Sequence, residues 1–308
     1  MNKEVLKRQF NTERPYRCVA QKLISENNSA LVYKGRKDNK PIAIKLSRFS
    51  HGTRNLGRFY SQTEHLQSLH HPNILPIEDA GHILFSREQK RQEAVPFMTM
   101  EYASNGTVRQ SSKQEGFTTE KALSHVDQVM EGLIYAHGTT LGDEVLHGDL
   151  KPDNFVIARD VTKLIDFKGG FQKGPGGISV KSNAWVIGTF SYMAPEVFCT
   201  DGIVASDIYA MGVVAYELVA GKLPILADKP DAQSWYAAHT RAEVSEINKL
   251  DENGKVDHIA DAIFEPVLQA MSPNPKQRFA SMAEFRHELK EAIDRGKYLS
   301  DKAITSLS

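Results

Sequence analysis

His147-Gly148-Asp149-Leu150-Lys151-Pro152-Asp153-Asn154 is followed, twelve residues after Asn154, by Asp166-Phe167. This run sets two carboxylates, an amide and an ammonium in a short hairpin-like segment flanked by apolar strand residues. Asp149 is a candidate to accept or orient a hydroxyl proton. Lys151 is a candidate to neutralise charge on a transferring phosphoryl group. Asn154 and Asp166 offer hard oxygen ligands of the kind Mg²⁺ prefers. The set suits a site that holds a metal-bound polyphosphate while a base steers a hydroxyl toward it.

The same run resembles the catalytic loop of protein kinases, and Asp166-Phe167 resembles the metal-binding triplet that follows that loop. Further matches come in family order. Ile42-Ala43-Ile44-Lys45 lies upstream, where the phosphate-gripping lysine is expected. Downstream, Gly188-Thr189-Phe190-Ser191-Tyr192-Met193-Ala194-Pro195-Glu196 resembles the substrate-docking segment. Asp207-Ile208-Tyr209-Ala210-Met211-Gly212 and Pro275-Lys276-Gln277-Arg278 complete six blocks within residues 20–290. The chain thus resembles the eukaryotic-like protein kinase family. Lys151, two positions after Asp149, and Gly188-Thr189 resemble its Ser/Thr subclass. The resemblance implies an α+β, bilobal protein kinase-like fold. Its β-rich N-lobe would cover residues 17–102 and its mainly helical C-lobe residues 103–294. An N-terminal extension (1–16) and a C-terminal tail (295–308) would flank them.

The resemblance also implies ATP and Mg²⁺ as cofactors and assigns roles residue by residue. Asp149, Lys151 and Lys45 would be catalytic, with Thr189 beside Asp149 and Lys151, while Asn154 and Asp166 would hold the metal. Met100 would back the adenine pocket, Glu101 to Ala103 would hydrogen-bond the base through the backbone, and Val32, Ala43 and Val156 would sandwich it. Leu66, Ile77, Phe167 and His147 would stack as a column anchored through Asp207, which makes His147 a packed imidazole rather than a proton carrier. Glu196 and Arg278 would form a buried ion pair.

Four departures from the family pattern bear on function. At the helix position that supplies a glutamate to the phosphate-gripping lysine stands Gln62, with Glu64 two residues on. Positions i and i+2 point to different helix faces, so either Gln62 serves Lys45 or a shifted helix brings in Glu64. In the phosphate-covering loop, Ser25, Asn27 and Ala30 replace three glycines. Asn tolerates the left-handed region, so Asn27 and Asn28 still suit a hairpin turn. Gly148 replaces the arginine that in many members reads a phosphate on the activation segment, so that ion pair cannot form. Activity without activation-segment phosphorylation is the expectation, with Ser179 and Ser182 the candidate modification sites. Lys168 stands where glycine usually follows Asp-Phe. It is expected to point outward to solvent, the other reading being a cation near metal-bound phosphates.

Composition agrees with an ordinary globular chain. The 308 residues are 41% hydrophobic and 25% charged with formal net charge zero, so no bulk attraction to nucleic acid or an anionic membrane is implied. Cys18 and Cys199 are far apart and no Cys/His cluster accompanies them, which argues against a disulfide framework or a zinc site and for a reducing, cytoplasmic setting. No apolar run approaches the ~20 residues that span a bilayer. The expected partner is a protein substrate with a Ser/Thr acceptor, with no nucleic acid and no membrane.

Patterning places the elements. Arg17 to Ile24 and Ala30 to Gly35 read as a hairpin, and Pro41 to Leu46, Ile74 to Ile77 and Phe97 to Tyr102 as strands. Arg58 to Leu69 has helical spacing, and Ser86 to Glu93 reads as a solvated loop between strands. Ala103-Ser104-Asn105-Gly106 is a small-residue boundary. Thr119 to His137 repeats apolar residues at helical spacing behind Thr118. Ile208 to Ala220 reads as a helix buried on most sides, and Val267 to Met271 and Met282 to Ala292 as further helices. Three activities fit: an active Ser/Thr kinase, a pseudokinase scaffold with weak nucleotide binding, and a small-molecule phosphotransferase. The last class usually lacks Lys151 and the Ala194-Pro195-Glu196 segment with its Arg278 partner.

Overall fold

The computed structural model describes residues 18–27, 30–48, 59–60, 63–64, 66–87, 91–138, 145–168, 170–171, 190–200, 202–247, 249–250, 254 and 256–305. Gln62, Ser179, Ser182 and Thr189 lie outside these residues, as do Asn28 and Gly188. The chain divides into two compact units, Met1–Asn105 and Gly106–Ser308.

Among the described residues, the first unit has five strands: β1 (Cys18–Glu26), β2 (Ala30–Lys37), β3 (Lys40–Ser47), β4 (Ile77–Arg87) and β5 (Arg91–Glu101). They form one antiparallel sheet in the order β1-β2-β3-β5-β4. Strand periodicity sorts the residues onto two faces. Leu31, Tyr33, Ile42, Ile44, Leu46 and Phe97 are buried together with Cys18, Ala20, Ile83 and Val95 in one core. Opposite partners share a face in an antiparallel pair. Val32 faces Lys45, Lys45 faces Met98, and Ala43 faces Met100. These positions alternate with the core set, so Lys45 shares a face with Val32 and Ala43, turned away from Ile42 and Ile44.

Two expectations fail here. The strand read at Ile74 to Ile77 begins only at Ile77, and Ile74 forms an isolated bridge. Pro76 has no N–H for a ladder, and Ile74 and Leu75 are buried without one. The loop read at Ser86 to Glu93 is largely strand, with pairs Phe85↔Glu93, Ser86↔Gln92 and Arg87↔Arg91. A hairpin ladder satisfies backbone groups whatever the side chains are, so polarity alone misplaced the turn. Phe59, Tyr60, Thr63, Glu64, Leu66 and Gln67 are helical, as the spacing required.

The second unit is mainly helical: α1 (Val108–Ser111), α2 (Thr119–His137), α3 (Val204–Ala220), α4 (Ala232–Arg241), α5 (His258–Ala262), α6 (Phe264–Ala270) and α7 (Met282–Thr305). Two small sheets accompany them: β6 (Val145–Leu146) with β9 (Gly170–Phe171), and β7 (Phe155–Ala158) with β8 (Val161–Leu164). Helix α2 starts where Thr118 accepts the Lys121 N–H through its side chain, and Leu123, Val126, Val129, Met130 and Leu133 are buried along one face. Helix α3 is buried nearly all round and ends at Gly221, φ 71°. At Gly212 a Cβ would lie 2.9 Å from Met271 Cγ and 3.0 Å from Ala270 Cβ, so the glycine lets α3 approach the end of α6. Helix α7 runs on past Ala292, the last residue of the helix read from the spacing, to Thr305. At Gly296 a Cβ would lie 2.7 Å from His258 O and from Ile259 Cα, so α7 lies close on α5 there.

Candidate active site

The loop His147 to Asn154 leaves β6, closes in a 3₁₀ turn at Pro152–Asn154 and enters β7. Strands β7 and β8 join through Arg159 (φ 51°) and Asp160 (φ 66°), the pair of positive φ angles that a two-residue type I′ hairpin turn requires. That tight turn brings the chain straight back, so Ile165 donates its N–H to Asn154 O at 3.0 Å. Asp166 follows with φ 65°, a left-handed backbone at a non-glycine residue. Such strain costs on the order of 1–3 kcal/mol and clusters at functional sites. Lys168 N then donates to His147 O at 2.7 Å, tying the two loops side by side.

Burial and hydrogen bonds fix the state of His147. Its ring is fully buried, Nδ1 accepts the Asp149 N–H at 3.2 Å, and Nε2 lies 2.9 Å from Ile165 O. A backbone donor on one nitrogen and a carbonyl on the other define the neutral ring with its proton on Nε2. Burial keeps its pKa below the ordinary histidine value despite the nearby carboxylates of Asp207 and Asp149. The ring packs on Phe167 with centroids 4.6 Å apart. His147 is therefore a packed, neutral imidazole, as the resemblance implied.

The carboxylate of Asp149 is almost wholly withdrawn from solvent, at 2% side-chain exposure. Asn154 Nδ2 donates to its Oδ2 at 2.9 Å and to its backbone O at 2.7 Å. Lys151 Nζ lies 3.3 Å from Oδ2 and 3.4 Å from Oδ1. Lys168 Nζ lies 2.7 Å from Oδ2. Burial alone would push this carboxyl up, but the two ammonium groups, Lys168 first, hold it below the usual carboxylate range. Lys168 thus stays half exposed but brings its ammonium onto Asp149 rather than leaving it wholly to solvent as expected. The backbone bond from its N–H to His147 O aims it, and a buried carboxylate attracts an ammonium more strongly than water-screened charges would. No spacing rule connects positions 149 and 168, so sequence reasoning had no signal for this contact.

Asp207 on α3 holds the loop from below. It accepts the N–H of His147 at 2.8 Å and of Gly148 at 3.0 Å, and His137 Nε2 lies 3.0 Å from it. Gly148 has φ 71°, a conformation that a residue with a side chain adopts only at a cost. A second clamp was not read from the sequence. Arg109 on α1 reaches Asp153 at 3.1 Å, Glu217 at 2.7 Å and Tyr192 OH at 2.5 Å. Helix α1 is positioned for this by a capping box between Thr107 and Gln110. The Glu196–Arg278 pair is present as implied, with two bonds of 2.7 and 2.8 Å.

Val156 is buried in β7, bridged to Thr107. In the first unit, Ser25 is paired with Val32, and Lys45, Val32 and Ala43 share one sheet face. Asn27 uses its carboxamide oxygen to accept the Ala30 N–H at 2.8 Å, so the side chain turns the β1–β2 hairpin. Glu101 ends β5 and Ala103 follows it, both half-buried. Glu64 is exposed. The donor chemistry of Asn154 and Asp166 fits a hard cation: the Asn154 Nδ2 is committed to Asp149, which leaves its Oδ1 directed the other way, and Asp166 is a carboxylate on a strained backbone.

Residues 19–289 match the protein kinase domain family. Serine/threonine-protein kinase PknB of Mycobacterium tuberculosis is 30% identical over 258 residues, covering 81% of this chain and 39% of that protein. Serine/threonine-protein kinase PrkC of Bacillus subtilis is 26% identical over 273 residues, covering 87% of this chain and 38% of that one. Serine/threonine-protein kinase pkn3 of Myxococcus xanthus is 28% identical over 303 residues, 94% of this chain and 52% of its own length. The chain spans less than two thirds of each of these relatives. Among solved structures, the PknI kinase domain of Mycobacterium tuberculosis superposes with a TM-score of 0.61 at 21% identity, over 90% of this chain and 95% of that one.

Proposed function

The chain belongs to the protein kinase domain family, and on that premise we propose that it is a protein serine/threonine kinase, moving the γ-phosphoryl group of ATP onto a Ser or Thr hydroxyl of a protein. The observation that carries this reading is Asp149: a buried carboxylate kept ionised by its neighbours and held by Asn154 within a loop that Asp207 pins. An ionised, immobile carboxylate is what orienting an acceptor hydroxyl needs. Lys151, beside Asp149, would meet the negative charge that develops on the transferred group. Asn154 and Asp166 would hold Mg²⁺, which when bound neutralises phosphate charge. Lys45, with Val32 and Ala43 on its sheet face, would grip the nucleotide, and Glu101 and Ala103 would meet the base through the backbone. Thr189 and Gln62 keep the roles that the family resemblance implies.

Gly148 supports a second part of the proposal. It lacks the side chain that would read an activation-segment phosphate, so activity is independent of that phosphorylation. Cys18 and Cys199 are both thiols outside any disulfide, which supports a cytoplasmic setting, and no helix among the described residues is long and apolar enough to cross a membrane. One observation favours the scaffold reading instead: Lys168 occupies Oδ2 of Asp149, one of the two oxygens a substrate hydroxyl could meet.

Transfer of labelled phosphate from Mg·ATP to a protein substrate, run with wild type, Asp149→Ala and Asp166→Ala, separates the readings. Wild-type transfer lost in both variants supports the kinase. Equal inertness of all three in binding and transfer leaves the scaffold. Phosphatase treatment that abolishes wild-type activity overturns the independence from phosphorylation.

A further inference from the structure

Lys168 stands two residues after Asp166, where the family resemblance puts glycine. Its ammonium lies 2.7 Å from the Asp149 carboxylate, closer than Asn154 at 2.9 Å and Lys151 at 3.3 Å. All three converge on Oδ2. A carboxylate oxygen offers two lone-pair directions, so an acceptor hydroxyl finds no open position on Oδ2 while Lys168 is there.

The three donors differ in freedom to leave. Asn154 is buried and bonded twice to Asp149. The Lys151 side chain is 19% exposed, and that of Lys168 is 47% exposed. The backbone of Lys168 is anchored by its N–H on His147 O at 2.7 Å. Its ammonium therefore swings on a flexible four-carbon stem about a fixed point. A polyphosphate placed at Asp166 brings several negative charges within reach of that stem, against the single charge of Asp149. Coulomb attraction then favours the phosphates.

We propose that Lys168 is a transferable positioning cation: it caps Asp149 in the nucleotide-free protein and moves onto the nucleotide phosphates when they bind, uncovering Oδ2 for the acceptor hydroxyl. No bond is made or broken; one ammonium exchanges one anionic partner for another. The consequence is order at one oxygen: among the described residues Oδ1 meets only Lys151, at 3.4 Å, whereas Oδ2 becomes available to the acceptor only after the nucleotide is in place. This inference rests on the kinase reading above.

The test is a double-mutant cycle read as binding. The dissociation constant of Mg·AMP-PNP is measured by calorimetry for wild type, Asp149→Asn, Lys168→Met and the double variant, with thermal melts confirming that each is folded. In wild type, binding must first pull Lys168 off Asp149. Asp149→Asn removes that cost along with the direct repulsion between Asp149 and the phosphates. In the Lys168→Met background only the repulsion is removed. The tightening caused by Asp149→Asn is therefore expected to be about tenfold larger with Lys168 present than in the Lys168→Met background. Equal tightening in both backgrounds overturns the inference and leaves the kinase reading standing. Wild type that binds no Mg·AMP-PNP overturns both. Lys168→Gln, which keeps a donor but no charge, is expected to behave as Lys168→Met.

Discussion

Asp207 and Gly148 are joined by a 3.0 Å hydrogen bond from the Gly148 N–H to Oδ1, while Oδ2 takes the preceding N–H of His147 at 2.8 Å. One buried carboxylate thereby satisfies two consecutive backbone donors of a loop that turns through positive φ at Gly148. An amide at position 207 has one acceptor oxygen and presents an N–H₂ group to the second donor. Asp207→Asn therefore leaves a buried donor unpaired, at a cost of about 1–3 kcal/mol. A fall in melting temperature together with a fall in phosphotransfer is the expected outcome. Unchanged values of both in a thermal melt and a transfer assay would contradict this role.

Glu196 and Arg278 test folding rather than chemistry. The guanidinium also donates to the backbone oxygens of Ser272, Pro273 and Ala205, and Ser206 donates to Glu196. Arg278→Ala strands a buried carboxylate, and such breaks cost about 3–5 kcal/mol. Burial raises the Glu196 pKa, but Arg278 and Ser206 override it and hold the carboxyl below its ordinary value of 4.5. A depressed folded pKa gives stability that is present above the unfolded value and lost as pH falls through the folded one. Melting curves of wild type and Glu196→Gln should thus differ most at neutral pH and converge only as the pH falls below the depressed folded-state pKa of Glu196. A gap that persists undiminished in acid would refute the ion-pair account.

Much of this architecture was legible because local chemistry and long-range packing agree. Helix α2 has its bounds at Thr119 and His137 in both readings, since the Thr118 cap, the apolar spacing and Gly138 all point to one answer. The pairing of Glu196 with Arg278 came from the family resemblance and is present. The illegible parts are contacts between residues that no period relates. Lys168 meets Asp149 only because a type I′ turn at Arg159-Asp160 folds β8 back on β7. Arg109 meets Asp153, Glu217 and Tyr192 across three separate segments. The α7 helix outran its expected end, and the close approach of Gly296 to α5 is a contact that amphipathic spacing does not report.

Arg109 is the tie between α1, the catalytic loop and α3. Its guanidinium takes Glu217 through Nη1 at 2.7 Å and Nη2 at 3.3 Å, Asp153 through Nε, and Tyr192 through Nη2. Tyr192 in turn donates to Glu217 at 2.7 Å. Removing the arginine leaves Glu217 with Tyr192 and takes the guanidinium from Asp153. Arg109→Ala is expected to cost about 2–3 kcal/mol and to lower phosphotransfer more than nucleotide affinity, because it loosens the loop bearing Asp149. Arg109→Lys should rescue only part, since an ammonium lacks the planar fork. Full activity of Arg109→Ala with an unchanged melting temperature would refute the clamp.

His239 gives the fold a predictable response to mild acid. It is fully buried beneath Trp235 and Tyr209, its Nδ1 is 2.7 Å from Tyr209 OH, and its Nε2 is 2.8 Å from Phe190 O. Burial disfavours the charged ring, and its pKa falls from 6.5 to about 4, with the Phe190 carbonyl opposing only part of the shift. In the unfolded chain the same ring takes up a proton near its ordinary value. Between those two values the unfolded state binds more protons, so stability drops as pH falls through that window. The full window amounts to about 3 kcal/mol for this one residue. Denaturant unfolding of wild type at a series of pH values should show this decline, and His239→Gln should flatten it while lowering stability at neutral pH through the lost packing. A slope between pH 6.5 and 4 that is the same in both proteins would show that His239 is not the group responsible.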